Sequence, residues 1–240
     1  AMIWVKRSVL LVVISIVISG CDFFCSTEDD SIISEKRKLP EYSKINIVEP
    51  DTYVNLKQSS TADFTIFGTS TILKNLMPDV RDGELNIEMY ECESTHKKIN
   101  INIDIKTVSS ICSRANSVLT AQSPIESEII ELNLTADGEI TIEDLFANKI
   151  DAIVSGSGNI NIGGKKNIKE LIINIDGSGN VNTYNLPVEN ITVNISGSGS
   201  CKINPISSLK ARISGTGNIY YKGDPEKTIV ISGSGEVIKN

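Results

Sequence analysis

The residues that spacing singles out for chemistry in this chain are glycines. Gly156, Gly158, Gly177, Gly179, Gly197, Gly199, Gly215, Gly217, Gly233 and Gly235 stand in Gly-Ser-Gly or Gly-Thr-Gly triplets. A glycine-rich turn cradles phosphate when a helix follows it, because free backbone N–H groups and the helix dipole then converge on the anion. Here a β-type run follows each triplet, as in Asn159-Ile-Asn-Ile162 and Asn218-Ile-Tyr-Tyr221, so phosphate chemistry is excluded. A flexible linker is excluded as well, since apolar residues recur at fixed offsets on both sides. The single histidine, His96, lies in a polar Ser-Thr-His-Lys-Lys stretch with no nearby ligand set, so no zinc site is expected. Polysaccharide lyases and hydrolases need convergent carboxylates. Asp151, Asp176 and Glu236 take different places in the repeat, so no catalytic constellation and no cofactor are expected.

Charge and termini narrow the function classes. The formal net charge is −7, and no basic stripe with interleaved aromatics is present, which excludes a nucleic-acid partner. Lys6 and Arg7 precede an apolar run over residues 9–18, the pattern of a signal peptide over residues 1–20. The run ends in Ile18-Ser-Gly-Cys21, which resembles the bacterial lipobox and marks Cys21 for lipidation. Residues 21–39 are polar and aperiodic, a tether from membrane to domain, with an acidic cluster at Glu28-Asp29-Asp30. Of the other cysteines, Cys25, Cys92, Cys112 and Cys201 form no CxxC pair. An exported compartment permits disulfides, but these spacings demand none, and the state of Cys25 and Cys92 stays open.

The elements that position the glycines follow from their period. The first glycines of the triplets, Gly156, Gly177, Gly197, Gly215 and Gly233, are 21, 20, 18 and 18 residues apart. A fixed period near 20 residues means stacked rungs. Weaker copies at Ala136-Asp-Gly-Glu-Ile140 and Arg114-Ala-Asn-Ser-Val118 extend the series, so that seven rungs align. Two positions before the marker stand Cys112, Leu134, Val154, Ile175, Ile195, Ile213 and Ile231. Four positions after it stand Val118, Ile140, Ile160, Val181, Cys201, Ile219 and Val237. Both columns are apolar, and the period-two alternation around them puts one face of each strand inward.

The pattern predicts an all-β solenoid of parallel strands, each rung reading strand, glycine corner, strand. The glycines are expected to permit positive φ at the corner and to let successive corners stack closely. Cys112 and Cys201, lying in the apolar columns, are expected to be buried. Asn159, Asn180, Ser200, Asn218 and Glu236 share the column after the corner. They form either a polar ladder bonded from rung to rung or a ligand-binding strip. Asn-x-Ser/Thr matches at Asn133, Asn190 and Asn194 are by-products of an Asn- and Thr-rich strand composition. Upstream, residues 42–48, 53–57, 64–67, 85–89 and 98–105 are expected strands, with a turn at 81–84 and an interruption, including a short helical turn, at 73–80. They form the first turns of the solenoid or a cap over its end, giving N-terminal strands at 40–105 and regular rungs at 106–240.

Gly156-Ser-Gly-Asn-Ile160, Gly177-Ser-Gly-Asn-Val181 and Gly215-Thr-Gly-Asn-Ile219, with their preceding Ile/Val strands, resemble repeats of the putative auto-transporter adhesin, head GIN domain family. Arg81-Asp-Gly-Glu-Leu-Asn-Ile87 and the run from Ile99 to Ile111 resemble that family's segments upstream of the first rung. The resemblance covers about residues 40–240. It implies a right-handed, single-stranded parallel β-helix in the cell envelope, here lipid-anchored at the outer membrane. The first two rungs depart from the pattern in lacking the double glycine, and the last carries Glu236 in place of Asn. The expected role is a non-enzymatic adhesin or binding module presenting a polar face to a glycan or protein. The alternative is an envelope structural or regulatory component contacting other membrane proteins, and a polysaccharide-active enzyme ranks last. The open edge of the final rung, residues 228–239, offers a template for a homo-oligomer.

Overall fold

The structure, a computed structural model, describes residues 31–90 and 99–240. The signal segment, Cys21, Cys25, Cys92 and His96 lie outside the described residues.

Parallel strands stack into a β-solenoid whose coils each contribute one strand to an 11-stranded sheet and one to a 10-stranded sheet. In the regular part, long strands such as Leu145–Val154, Ile168–Ile175, Val188–Ile195 and Pro205–Ile213 pair in sequence order. After each corner a short strand follows, such as Asn159–Ile162, Asn180–Asn182, Cys201–Ile203 and Ile219–Tyr221. Ile and Val dominate because β-branched side chains fit a pleated, buried surface. Val154, Ile175, Ile195 and Ile213 stand one above another and are almost wholly buried. Ile140, Ile160, Val181, Cys201 and Ile219 do the same across the interior. Each such side chain contributes roughly 1.5–3 kcal/mol by leaving water.

The first regular rung corrects one expected register. Leu134 pairs with Ser113 and Ile140 with Leu119, so the inward positions are Ile111, Ser113 and Leu119. Cys112 and Val118 therefore point outward and are only partly buried. A one-residue slip exchanges the faces of a strand, and without glycines the corner of this rung carried no marker to set the count. Ser113 tolerates the interior because its hydroxyl donates to the carbonyl of Ala115 at 3.1 Å. Cys201 is buried as expected, and burial pushes its thiol pKa up.

The corner glycines are required for a different reason than expected. Among the described residues only Gly83 and Gly223 are glycines at positive φ, and neither belongs to a triplet. A Cβ on Gly177, Gly197, Gly215 or Gly233 would overlap the carbonyl oxygen of the triplet glycine one coil earlier. The second glycines are equally confined, Gly217 against the carbonyl of Gly199. These carbonyls accept backbone bonds from the next corner, as in Ser178 N to Gly156 O at 3.0 Å and Thr216 N to Gly197 O at 3.0 Å. Close approach, and not left-handed backbone, excludes side chains here.

The N-terminal coils stack out of sequence order. Lys44–Ile47 and Thr52–Gln58 form the coil directly beneath the first regular rung. Glu84–Met89 and Ile99–Ile105 lie beyond that coil, paired in parallel with it. Between them the chain runs out through Asp63–Gly68, antiparallel to Ile99–Ile105. It continues through the helix Ser70–Asn75 and the edge strand Leu76–Arg81. This last strand was expected to be an interruption, and Pro78 is tolerated there because an edge strand has a side without ladder bonds. The hairpin back to Glu84–Met89 turns at Asp82 and Gly83, with φ of 51° and 73°.

Residues 33–37, expected as tether, also form a strand, antiparallel to Asp63–Gly68. Lys36 pairs with Asp63 at 2.7 Å, and Arg37 donates to the carbonyls of Leu73 and Leu76 at the end of the short helix. Those carbonyls lack intrahelical partners and attract a cation. At the opposite end, Ile229 and Ile231 of Glu226–Ile231 continue the inward columns but are exposed, because no described coil covers them. Lys227 turns inward there and donates to the hydroxyl of Tyr221 at 3.0 Å.

Two outcomes follow. Gly217→Ala should lower unfolding free energy by about 3 kcal/mol or more through overlap with backbone, whereas Gly83→Ala, with open space around it, should cost only about 1 kcal/mol of left-handed strain; denaturant melts compare the two. Alkylation of the native full chain followed by peptide mapping should modify Cys112 and spare Cys201 until the protein unfolds.

Candidate functional site

The outer face of the short-strand sheet carries two polar columns. Asn159, Asn180, Ser200, Asn218 and Glu236 make up the first, and the structure brings all of them into line. The Asn180 amide donates to Asn159 Oδ1 at 3.0 Å, and Asn180 Oδ1 accepts from Ser200 N at 3.0 Å. Ser200 Oγ then accepts from Asn218 N at 3.0 Å, and Asn218 Oδ1 from Glu236 N at 2.8 Å. Each acceptor is thus engaged by the coil above it. Thr141, Asn161 and Asn182 form the second column, side by side in register. Asn161 Nδ2 and Thr141 Oγ1 both donate to Glu139, at 2.9 and 2.8 Å.

Beside this second column lies a cleft of about 540 Å³. Its floor is Thr141, Asn161 and Asn182, and its walls include Glu143, Lys165 and Asn185. Lys165 and Asn185 belong to the loops at 163–167 and 183–187 and Glu143 to the turn at 143–144, each of which returns the chain from short strand to long strand. Gly163 and Gly164 are small because a Cβ there would come within 2.6 Å of the carbonyls of Glu143 and Leu145. Tyr184 anchors its loop, with Lys222 Nζ 4.2 Å from the ring centroid. Sequence reasoning passed over Lys165 and Asn185 because they lie outside the repeat columns, and over Asn182 because the polar column aligned from the sequence was the one nearer the corner. The signal was nonetheless present: the two rungs with these loops have periods of 21 and 20 residues, and those that follow have 18.

A second ladder runs on the outer face of the long-strand sheet, where no column was expected. Asn86, Asn46, Cys112, Asn133, Ile153, Asn174 and Asn194 follow one another in register. Asn46 Nδ2 donates to Asn86 Oδ1 at 2.7 Å and Asn194 Nδ2 to Asn174 Oδ1 at 2.9 Å, each toward the coil on the same side. Where the next coil offers Cys112 or Ile153 in place of an amide, the acceptor goes unmet. The buried Oδ1 atoms of Asn46 and Asn133 indeed have no partner. Two of the glycosylation-like matches, Asn133 and Asn194, are members of this column.

Charged groups are dispersed. Asp176 accepts from Ser196 Oγ at 2.5 Å and Asp151 lies 3.6 Å from Lys149, on different columns from Glu236. Lys106 beside Glu41, and Lys239 beside Asp224, hold those exposed carboxyls below their ordinary range. A smaller cavity of about 390 Å³ near Glu41 is lined by Tyr42, whose buried hydroxyl has no partner. Burial, reinforced by the Asp104 charge, pushes the Tyr42 pKa up. Among the described residues no group of three or more His, Cys, Asp or Glu side chains could hold a metal.

A stacked parallel solenoid with two amide-lined outer faces defines the class: a repetitive β-solenoid protein. The chain belongs to the family described as putative auto-transporter adhesin, head GIN domain, whose model matches residues 41–225. Its fold is similar to that of a structure described as a putative adhesin from Bacteroides fragilis NCTC 9343, with TM-score 0.81 and 20% identity over 88% of this chain and 98% of the other. It is similar to one described as a putative lipid binding protein from Parabacteroides distasonis ATCC 8503, with TM-score 0.73 and 20% identity over 87% and 96% of the two chains. A putative adhesin from Parabacteroides merdae ATCC 43184 matches with TM-score 0.71 and 23% identity over 87% and 96%. No curated protein matches the chain.

The interrupted ladder makes a stability prediction. Cys112→Asn supplies the missing donor to Asn46 Oδ1, so it should stabilise the protein by about 1 kcal/mol, or a Tm rise of roughly 2–4 °C, in thermal denaturation.

Proposed function

We propose that the protein is a lipid-anchored envelope module that binds a glycan or protein ligand and does no catalysis. The observation that carries this is the continuous outer face of the short-strand sheet, where amide and hydroxyl side chains repeat from coil to coil on a rigid backbone. Rigidity matters because ordering costs at an interface fall when the binding surface is already formed. Family membership supports a surface role. Carboxylates are dispersed, and Asp176 and Asp151 are occupied by a hydroxyl and a lysine, which favours binding over acid–base chemistry. The side chains lining the cleft beside Asn182 are polar apart from the buried Ile142 and Ile162, which favours a glycan or a protein over a lipid tail. The charged start, apolar run and Ile18-Ser-Gly-Cys21 support an anchor on Cys21.

The full chain, purified in mild detergent, should be retained on arrays of glycans and extracellular-matrix proteins; silence across both kinds of array overturns the binding reading. Cells fed labelled palmitate should label the chain through Cys21. Cys21→Ser should lose the label, and a variant that keeps it would refute the lipid anchor.

A further inference from the structure

We infer that the cleft between the second polar column and the loops at 163–167 and 183–187 binds a short neutral oligosaccharide, an inference that rests on the binding reading above. The cleft differs from the first polar column in that the groups on its walls are unspent. Along the first column, the acceptors of Asn159, Asn180, Ser200 and Asn218 are engaged by the next coil. In the cleft, Glu143, Lys165 and the Asn185 side chain make no hydrogen bond or ion pair within the described residues, and Asn182 uses only its Oδ1, which accepts from Tyr184 N at 3.2 Å. An ammonium, two amides and a carboxylate thus face one concave volume of about 540 Å³.

The mixture selects the ligand. A sugar hydroxyl donates and accepts at once, so it matches adjacent donors and acceptors that a purely anionic or purely cationic group would leave half unmet. Glu139 and Glu143 outnumber Lys165 among the lining charges, so uronates, sialates and phosphates meet net repulsion. The apolar lining residues Ile142 and Ile162 are buried, so neither presents a side chain to an acyl chain or an apolar peptide. Thr141, Asn161 and Asn182 lie on successive strands, so the floor extends about 10 Å along the stack, two strand spacings. That length suits two or more linked sugars better than one.

The test uses the full chain in detergent on an array of neutral, uronate-bearing and sialylated glycans, with titration calorimetry on the neutral glycan retained best. Asn185→Ala and Lys165→Ala remove exposed groups without internal partners, so both variants should keep the native Tm. Each should weaken neutral-glycan affinity by about tenfold, while Lys210→Ala on the opposite sheet leaves it unchanged. Retention of neutral glycans that neither cleft variant weakens would overturn the cleft assignment and leave the binding reading standing. So would retention of acidic glycans only, or of proteins only. No retention of any glycan or protein would overturn both.

Discussion

Each corner carbonyl of this solenoid occupies the space a side chain would need on the corner above it. The backbone of Gly156, Gly177, Gly197 and Gly215 accepts hydrogen bonds from the next corner, and that bonding distance leaves no room for a Cβ. Glycine is therefore demanded by contact between coils, a long-range property, although it recurs as a local motif. Once the corners are seated, the flanking strands must pair in parallel and in register, because both sheets grow from the same bend. The stacking of Val154, Ile175, Ile195 and Ile213 is a consequence of that seating.

With the interior filled, the variable chemistry moves outward. Both outer faces repeat amides at the strand spacing, and there an Asn can donate to one coil while accepting from another. The direction of donation is shared, so a coil lacking an amide leaves an unmet acceptor on one side only, as at Asn46 and Asn133. Such columns are largely self-satisfied. Groups free to meet a ligand arise instead where the repeat lengthens, on the return loops opposite the glycine corners. The corners tolerate no variation, and the loops at 163–167 and 183–187 absorb it.

The two ends of the stack solve different problems. At the N-terminal end the chain leaves its first coil, runs antiparallel through Asp63–Gly68, and places a later coil beyond an earlier one. Antiparallel strands Ile33–Arg37 and Leu76–Arg81 then flank the sheets there. At the C-terminal end the apolar columns run out at Ile229 and Ile231, and Lys227 turns a charge inward, a device that discourages edge-to-edge pairing.

The amino-acid sequence by itself determined the coil, its period, the inward columns from Leu134 onward and the polar column at Asn159, Asn180, Ser200, Asn218 and Glu236. Those are nearest-neighbour features, written once per rung and legible by superposing rungs. The register of the first rung was not legible, since Arg114-Ala-Asn-Ser has no glycine pair to count from, and Cys112 was assigned to the wrong face. Nor was the swapped order of the N-terminal coils, which depends on Lys44–Ile47 pairing with both Glu84–Met89 and Ser110–Ser113. The cleft, too, came only with tertiary structure. Lys165 comes from one coil and Asn182 and Asn185 from the next, and only stacking brings residues about 20 apart in the chain to one strand spacing in space.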